Sequence, residues 1–268
     1  MVTRSIKQLV IAIIVFGILG AIGYSVIHKM VTRPTCSDDI QNQGEDGIDC
    51  GDICLISCFD KYGKSILVQN EKLLNVRDLE YAYLFEVVNP NFDFGASQVS
   101  YEISFLDNSE LVTKKTESFF ILPGQTRPVI GSFIRLPDEA DSFMVEIKNI
   151  KWKAPENIDI SKALFSVVRK EYNKSDKKII ADIYNSSNYS FEKVEVNVVL
   201  YYLSEVVAVT KTEIRTFLAG TERHFEIALP SEFSRNVSKI EVYPVTNIFS
   251  NSNFFKQTPR PTETFQSF

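Results

Sequence analysis

VVNPNFDFGASQVSYEISF (Val87–Phe105) and IYNSSNYSFEKVEVNVVLY (Ile183–Tyr201) are two versions of one pattern, and that pattern decides the fold. Asn89 in the first answers to Asn185 in the second, 96 positions on. In each copy a polar, turn-rich stretch leads into a run whose alternate residues are apolar: Val99, Tyr101, Ile103 and Phe105, then Val194, Val196 and Val198. Period two with aromatic and β-branched residues marks a half-buried antiparallel strand. Upstream, Tyr81, Tyr83, Phe85 and Val87 do the same before Asn89-Pro90. Downstream, FFILPGQTRPVIGSFIRLP (Phe119–Pro137) matches RTFLAGTERHFEIALP (Arg215–Pro230), with Gly124 on Gly220 and Leu136-Pro137 on Leu229-Pro230. An ordered series of matches at a spacing near 95 residues predicts a tandem domain repeat. A unit of that size with six or seven short strands fits an immunoglobulin-like β-sandwich.

Further strands are predicted at Ser65–Gln69, Leu111–Ile121, Thr126–Leu136 and Phe143–Trp152, with turns at Asp107-Asn108-Ser109, Pro123-Gly124 and Pro137-Asp138. The polar stretch Ala154–Ser161 reads as the linker between copies. Ser250–Phe268 is polar and proline-broken, which predicts a disordered tail. Its four phenylalanines suit an alternative, a short motif that docks in a groove or on a sheet edge.

Before the repeats stands LVIAIIVFGILGAIGYSVI (Leu9–Ile27), 19 residues without a charge, with Arg4 and Lys7 ahead and His28, Lys29 and Arg33 behind. As a helix it is about 28 Å long, close to the hydrocarbon thickness of a bilayer. A buried core helix would carry a polar face, and this stretch has none. A cleaved signal peptide would use Ala21-Ile22-Gly23, yet the apolar run continues beyond it to Ile27. The preferred reading is an uncleaved signal-anchor.

CSDDIQNQGEDGIDCGDICLISC (Cys36–Cys58) then holds all four cysteines, six acidic residues and no Lys or Arg. Four thiols in so short a segment suit two disulfides closing a loop too small for a core of its own. Four cysteines allow three pairings, and spacing does not choose among them. Zinc is the rival, but it favours paired C-x2-C knuckles, whereas here thirteen, three and three residues intervene. Asp38, Asn42, Asp46 and Asp49 offer oxygens for calcium. An EF-hand counted from Asp38 would put Ile40 at a ligand position and Gln43 where glycine is required, so that motif is excluded. A solvated acidic loop is preferred, with calcium as an optional cofactor and no other cofactor expected.

This cysteine segment resembles the C-x-D-G-x-x-N-x-x-E-x-x-x-D-C-G-G-x-C-x-x-C element of bacterial surface and membrane-anchored proteins. Cys36, Asp38, Asn42, Glu45, Asp49, Cys50, Gly51, Cys54 and Cys58 match in order. Asp39 and Asp52 depart from it where glycines are usual, and three residues precede Cys58 instead of two. The repeats resemble the β-sandwich modules called FxLYD-type domains, at Ser104-Phe105-Leu106-Asp107 and Leu200-Tyr201-Tyr202. Neither resemblance implies an enzymatic activity.

The resulting layout is a cytoplasmic stub at 1–8, a membrane span at 9–28 and an acidic stalk at 29–60. Two β-sandwiches follow at 61–155 and 156–249, then a tail at 250–268. The fold class is mainly β, one transmembrane helix followed by two tandem antiparallel sandwiches. The expected location is the cell membrane, single-pass, with the N-terminus cytoplasmic and the rest extracytoplasmic. The positive-charge bias supports that orientation slightly, and disulfides support it further.

Catalytic signals are sparse. The chain has two histidines, and no HExxH, Walker-type or GxGxxG stretch occurs. His224 reads as a solvent-facing strand residue. Trp152 reads as a core or domain-junction side chain. A net charge of −5, with no Lys/Arg run longer than two, argues against a nucleic-acid partner. The expectation is a non-catalytic binding or structural protein whose partners are the lipid bilayer and an envelope component or protein. Alternatives are an accessory or assembly subunit of an envelope complex, or an envelope enzyme using carboxylates such as Asp159 and Glu171.

Overall fold

The computed structural model describes residues 2–31, 36–42, 44–155 and 164–254. The chain divides into two compact units, Met1–Gly63 and Lys64–Phe268.

The first unit holds a long helix, α1 (Val2–Val31), the cysteine segment and a short helix, α2 (Cys58–Tyr62). Within α1, Ile6–Ile27 has a mean hydropathy of 2.6 and no buried share. Its 22 residues are long and apolar enough to cross a membrane. A signal sequence meets the same measure.

The second unit holds twelve strands among the described residues. They are β1 (Leu67–Arg77), β2 (Glu80–Val88), β3 (Gly95–Asp107), β4 (Glu110–Ile121), β5 (Thr126–Arg135) and β6 (Ser142–Lys153). Then come β7 (Phe165–Asn173), β8 (Lys178–Asn185), β9 (Phe191–Tyr202), β10 (Glu205–Phe217), β11 (Glu222–Ala228) and β12 (Lys239–Val245). All pair antiparallel in three-stranded sheets. The first six form sheets ordered β1-β2-β5 and β4-β3-β6. The last six form β7-β8-β11 and β10-β9-β12, the same order with every number raised by six.

Each pair of sheets closes over its own core. The first is aromatic, with Tyr83, Phe85, Tyr101, Phe105, Phe119 and Phe143 in contact. The Tyr83 and Tyr101 hydroxyls hydrogen-bond each other at 2.9 Å, so neither is buried without a partner. Burial pushes the Tyr83 hydroxyl up to about 12 and raises Tyr101 as well, which keeps both neutral. The second core is mostly aliphatic, built from Ile179, Ile183, Val194, Val196, Val198 and Leu200 around Phe191 and Phe217.

The matched asparagines do matched work. Asn89 Nδ2 donates to the carbonyls of Phe94 (2.7 Å) and Leu122 (2.9 Å). Asn185 Nδ2 donates to those of Tyr189 (2.8 Å), Phe217 and Leu218 (both 3.2 Å). Each ties the loop after its own strand to the turn two strands on. That turn carries Gly124 at φ +61° and Gly220 at φ +67°, where a side chain would be strained.

Two expectations need correction. The first strand runs from Leu67 to Arg77, not Ser65–Gln69. A bulge between Gln69 and Lys72, with Asn70 at φ +57°, breaks the alternation that ended the sequence reading. Nor does order end at residue 249. Asn253 accepts from the Lys193 amide (2.9 Å) and donates to Thr246 Oγ1 (2.7 Å). Phe254 forms a β-bridge with Phe191, and their rings lie tilted with centroids 5.5 Å apart. The buried asparagine and the aromatic contact hold Ser250–Phe254 to the second sandwich. Most of the linker, residues 156–163, and the remaining tail, 255–268, lie outside the described residues.

Replacing Asn185 with alanine removes a fully buried donor and leaves carbonyls unpaired, so stability should fall by about 1–3 kcal/mol. Urea unfolding of the Lys64–Phe268 unit measures this, and Asn185→Asp should not restore it because it cannot donate in ionised form.

Candidate functional site

The cysteine segment contains two interleaved disulfides, Cys36–Cys54 and Cys50–Cys58. No described cysteine is free, so the four thiolates a zinc site would need are spent. Glu45 lies within 4.8 Å of the Cys36 and Cys54 sulfurs, but those sulfurs are bonded to each other.

The acidic residues fold inward onto backbone amides. Asp49, 2% exposed, accepts from the amides of Asp38 (2.9 Å) and Asp39 (3.1 Å) and pairs with Lys61 at 3.1 Å. Glu45 Oε2 accepts from the amides of Asp49 (3.0 Å) and Asn42 (3.4 Å). Asp38 accepts from Asn42 Nδ2 at 3.0 Å, and Asp46 from the Asp52 amide at 3.0 Å. Of the four calcium candidates, the fold thus joins Asp38, Asn42 and Asp49 in one network and sets Asp46 on a separate bond. Asn42 Oδ1 is buried with no hydrogen-bond partner. Asp39 takes φ +58°, a conformation that aspartate tolerates. Gly51 sits at φ +89° with Asp46 so close that a Cβ would meet its carboxylate at 2.3 Å.

In the second unit, the two sandwiches meet face to face. Ala82, Leu84 and Ile130 of the β1-β2-β5 sheet pack on Val199 and Val209 of the β10-β9-β12 sheet. Beside them Arg127, also 2% exposed, pairs with Glu195 at 3.0 Å across the contact. Its guanidinium lies 4.8 Å from the Phe120 ring centroid and donates to the Phe120 carbonyl at 3.2 Å. Burial pulls the Arg127 pKa down from its ordinary value, and the Glu195 charge opposes that pull. Glu195 also accepts from Asn197 Nδ2 at 2.9 Å.

Clefts border this contact among the described residues. One of about 410 Å³ lies where β5, β7 and β12 converge, lined by Thr126, Arg127, Phe165 and Tyr243 among others. No Asp, Glu, His, Ser or Cys lines it among the described residues. One of about 200 Å³ is lined by Leu74, Ala82, Phe133, Val209 and Phe233, with Glu232 and Arg235 also in its lining. Phe133 has φ +56°, turned out by a bulge in β5. The third, about 380 Å³, is lined by Phe120, Lys193, Glu195 and Asn253.

His224 is exposed on β11, with Nδ1 2.6 Å from Asp182 and Nε2 3.8 Å from Glu226. Glu171 pairs with Arg169 at 2.6 Å, and Asp159 lies outside the described residues. Trp152 packs partly buried against the first core. Sequence reasoning missed Arg127 and Glu195. The only signal was an arginine in a run that reads as strand, next to a proline.

No protein-family model matches the chain, and no curated protein matches it. Among solved structures, CBD12 from CALX1.2 is 13% identical, covering 61% of this chain and 74% of that one, with a TM-score of 0.21. Red sea bream transglutaminase is 11% identical, covering 62% and 27%, with a TM-score of 0.20. Neither likeness bears on the role of this chain.

Two outcomes follow. Burial works to raise the Asp49 carboxyl, but Lys61 and the two amides outweigh it and hold it below the ordinary value of 3.8. A depressed carboxylate contributes stability that is complete above the unfolded value and lost as pH falls through the folded one. The cysteine segment should therefore keep its amide protection down to about pH 4 and lose it below. Hydrogen exchange across a pH series reads this, and Asp49→Asn should flatten the profile. Second, Glu195→Ala leaves a buried guanidinium without its carboxylate and should cost about 2 kcal/mol or more. The charge-free pair Arg127→Met with Glu195→Gln should recover most of that loss in the same thermal unfolding assay.

Proposed function

We propose that this chain is a membrane-anchored, extracytoplasmic protein without catalytic activity, whose two stacked β-sandwiches present a fixed surface to a protein or envelope partner. The observation that carries this reading is the contact between the sandwiches. Apolar side chains from four strands and a buried ion pair make one platform of two modules. A rigid pair of sandwiches presents loops and sheet edges at set positions, the arrangement a recognition module uses. The repeated strand order supports reading the sandwiches as two copies of one unit. The cleft of about 410 Å³ has no Asp, Glu, His, Ser or Cys among its described lining, which supports the non-catalytic reading. The apolar helix supports a membrane anchor, and the disulfides support an oxidising, extracytoplasmic side. Calcium at Asp38, Asn42, Asp46 and Asp49 is an optional addition, because Lys61 already balances Asp49.

A second reading, an assembly factor acting through its tail, is supported by Phe254, which packs on Phe191 of the second sandwich. Crosslinking in intact membranes, with full-length protein and with a chain ending at Phe254, separates the two. Retention of the same crosslinked partner on truncation supports recognition through the sandwiches; its loss favours the tail. Protease added to intact cells should digest the β-sandwiches, and their protection would reverse the orientation. Turnover of a glycan or cell-wall substrate by the purified protein, abolished by a single carboxylate substitution, would replace the non-catalytic reading.

A further inference from the structure

The cysteine segment is built inside out. Its buried residues are Glu45, Asp49 and Cys50, whereas its exposed ones include Ile40, Ile48, Ile53, Leu55 and Ile56. A water-facing domain does the reverse. Ile53 is 49% exposed, Leu55 109% and Ile56 42%. The residues on either side of this tip are fixed. Cys54, within it, is bonded to Cys36, and Cys50 and Cys58 close its flanks.

The disulfide also shortens the tether to the helix. Along the chain, Leu55 follows the end of α1 by 24 residues, a reach of about 80 Å if extended. Through the bridge, the path is five residues from Val31 to Cys36, 5.7 Å between Cα atoms, and one further residue. Chain length alone then limits Leu55 to about 27 Å from the end of the helix. The helix runs four residues past Ile27, about 6 Å, which is roughly the depth of a headgroup layer.

We propose that Ile53, Leu55 and Ile56 form a membrane-contacting tip that inserts into the interfacial layer of the bilayer holding α1. This rests on the anchor reading above. Apolar side chains carried on a small polar scaffold settle at the boundary between headgroups and acyl chains. The exposed acids Asp38, Asp39, Asp46 and Asp52 make the contact suited to a zwitterionic surface and opposed by an anionic one.

The test uses the full chain in phosphatidylcholine vesicles, with Trp152→Phe removing the sole tryptophan and Leu55→Trp placing a reporter at the tip. Flotation comes first, and a chain that does not float with the vesicles overturns the anchor reading itself. In floated protein, emission should shift to the blue and fall about twofold or more with acyl-brominated lipid, while aqueous iodide quenches weakly. Replacing part of the lipid with phosphatidylglycerol should reduce the bromine quenching. So should Cys36→Ser with Cys54→Ser, which restores the long tether. Floated protein whose reporter is open to iodide and untouched by bromine overturns the inference. A blue-shifted reporter shielded from both quenchers is covered by protein, and that overturns it too.

Discussion

Strand β2 sends Tyr81, Tyr83, Phe85 and Val87 into the first core and Ala82 and Leu84 into the contact with the second sandwich. Most of its length is therefore removed from water on both faces. Everything in the second unit is arranged around that double burial. Strand β5 beside it carries both a bulge and the cross-contact arginine. A guanidinium is tolerated at 2% exposure because carbonyls, an aromatic face and one carboxylate surround it. The apolar part of the contact supplies the attraction, and the ion pair leaves the buried guanidinium beside it with a carboxylate partner.

The counterpart positions in the second sandwich carry a different, more polar face. Counting 96 on, as from Asn89 to Asn185, Ala82 becomes Lys178, Leu84 becomes Ile180 and Ile130 becomes Glu226. Lys178 and Glu226 pair at 2.9 Å on that outer face, with His224 and Asp182 alongside. Arg223 takes the place of Arg127 and repeats its local bond, donating to the Thr216 carbonyl at 2.9 Å as Arg127 does to Phe120. The scaffold interaction belongs to both copies. The burial belongs to one, because a charged sheet face costs too much to desolvate without a matched partner.

The cysteine segment solves a different problem. With too few residues for an apolar interior, it uses two disulfides and a set of carboxylates that accept backbone amides. In sequence those acids read as a solvated loop, with calcium as an option. In the fold they do the work of secondary structure, closing turns that have no ladder to close them.

Periodicity and spacing alone determined the alternating strands on either side of each matched turn, the faces they bury, the turn glycines and the equivalence of Asn89 with Asn185. These depend on short-range geometry: alternation sets which face is buried, and left-handed backbone favours glycine at the matched turns Gly124 and Gly220. The apolar helix and the existence of disulfides were legible for the same reason. What only the tertiary structure decided was the second burial of β2, the disulfide pairing, and the roles of Arg127, Glu195 and Asp49. Ala82 and Leu84 look ordinary on the far side of an alternating strand, and a period of two says nothing about what lies against that side. Arg127 and Glu195 are 68 residues apart, and no local pattern connects a strand arginine to a carboxylate in another sandwich. Their pairing depends on how two finished surfaces fit, which is a property of the folded shapes and not of either stretch of chain.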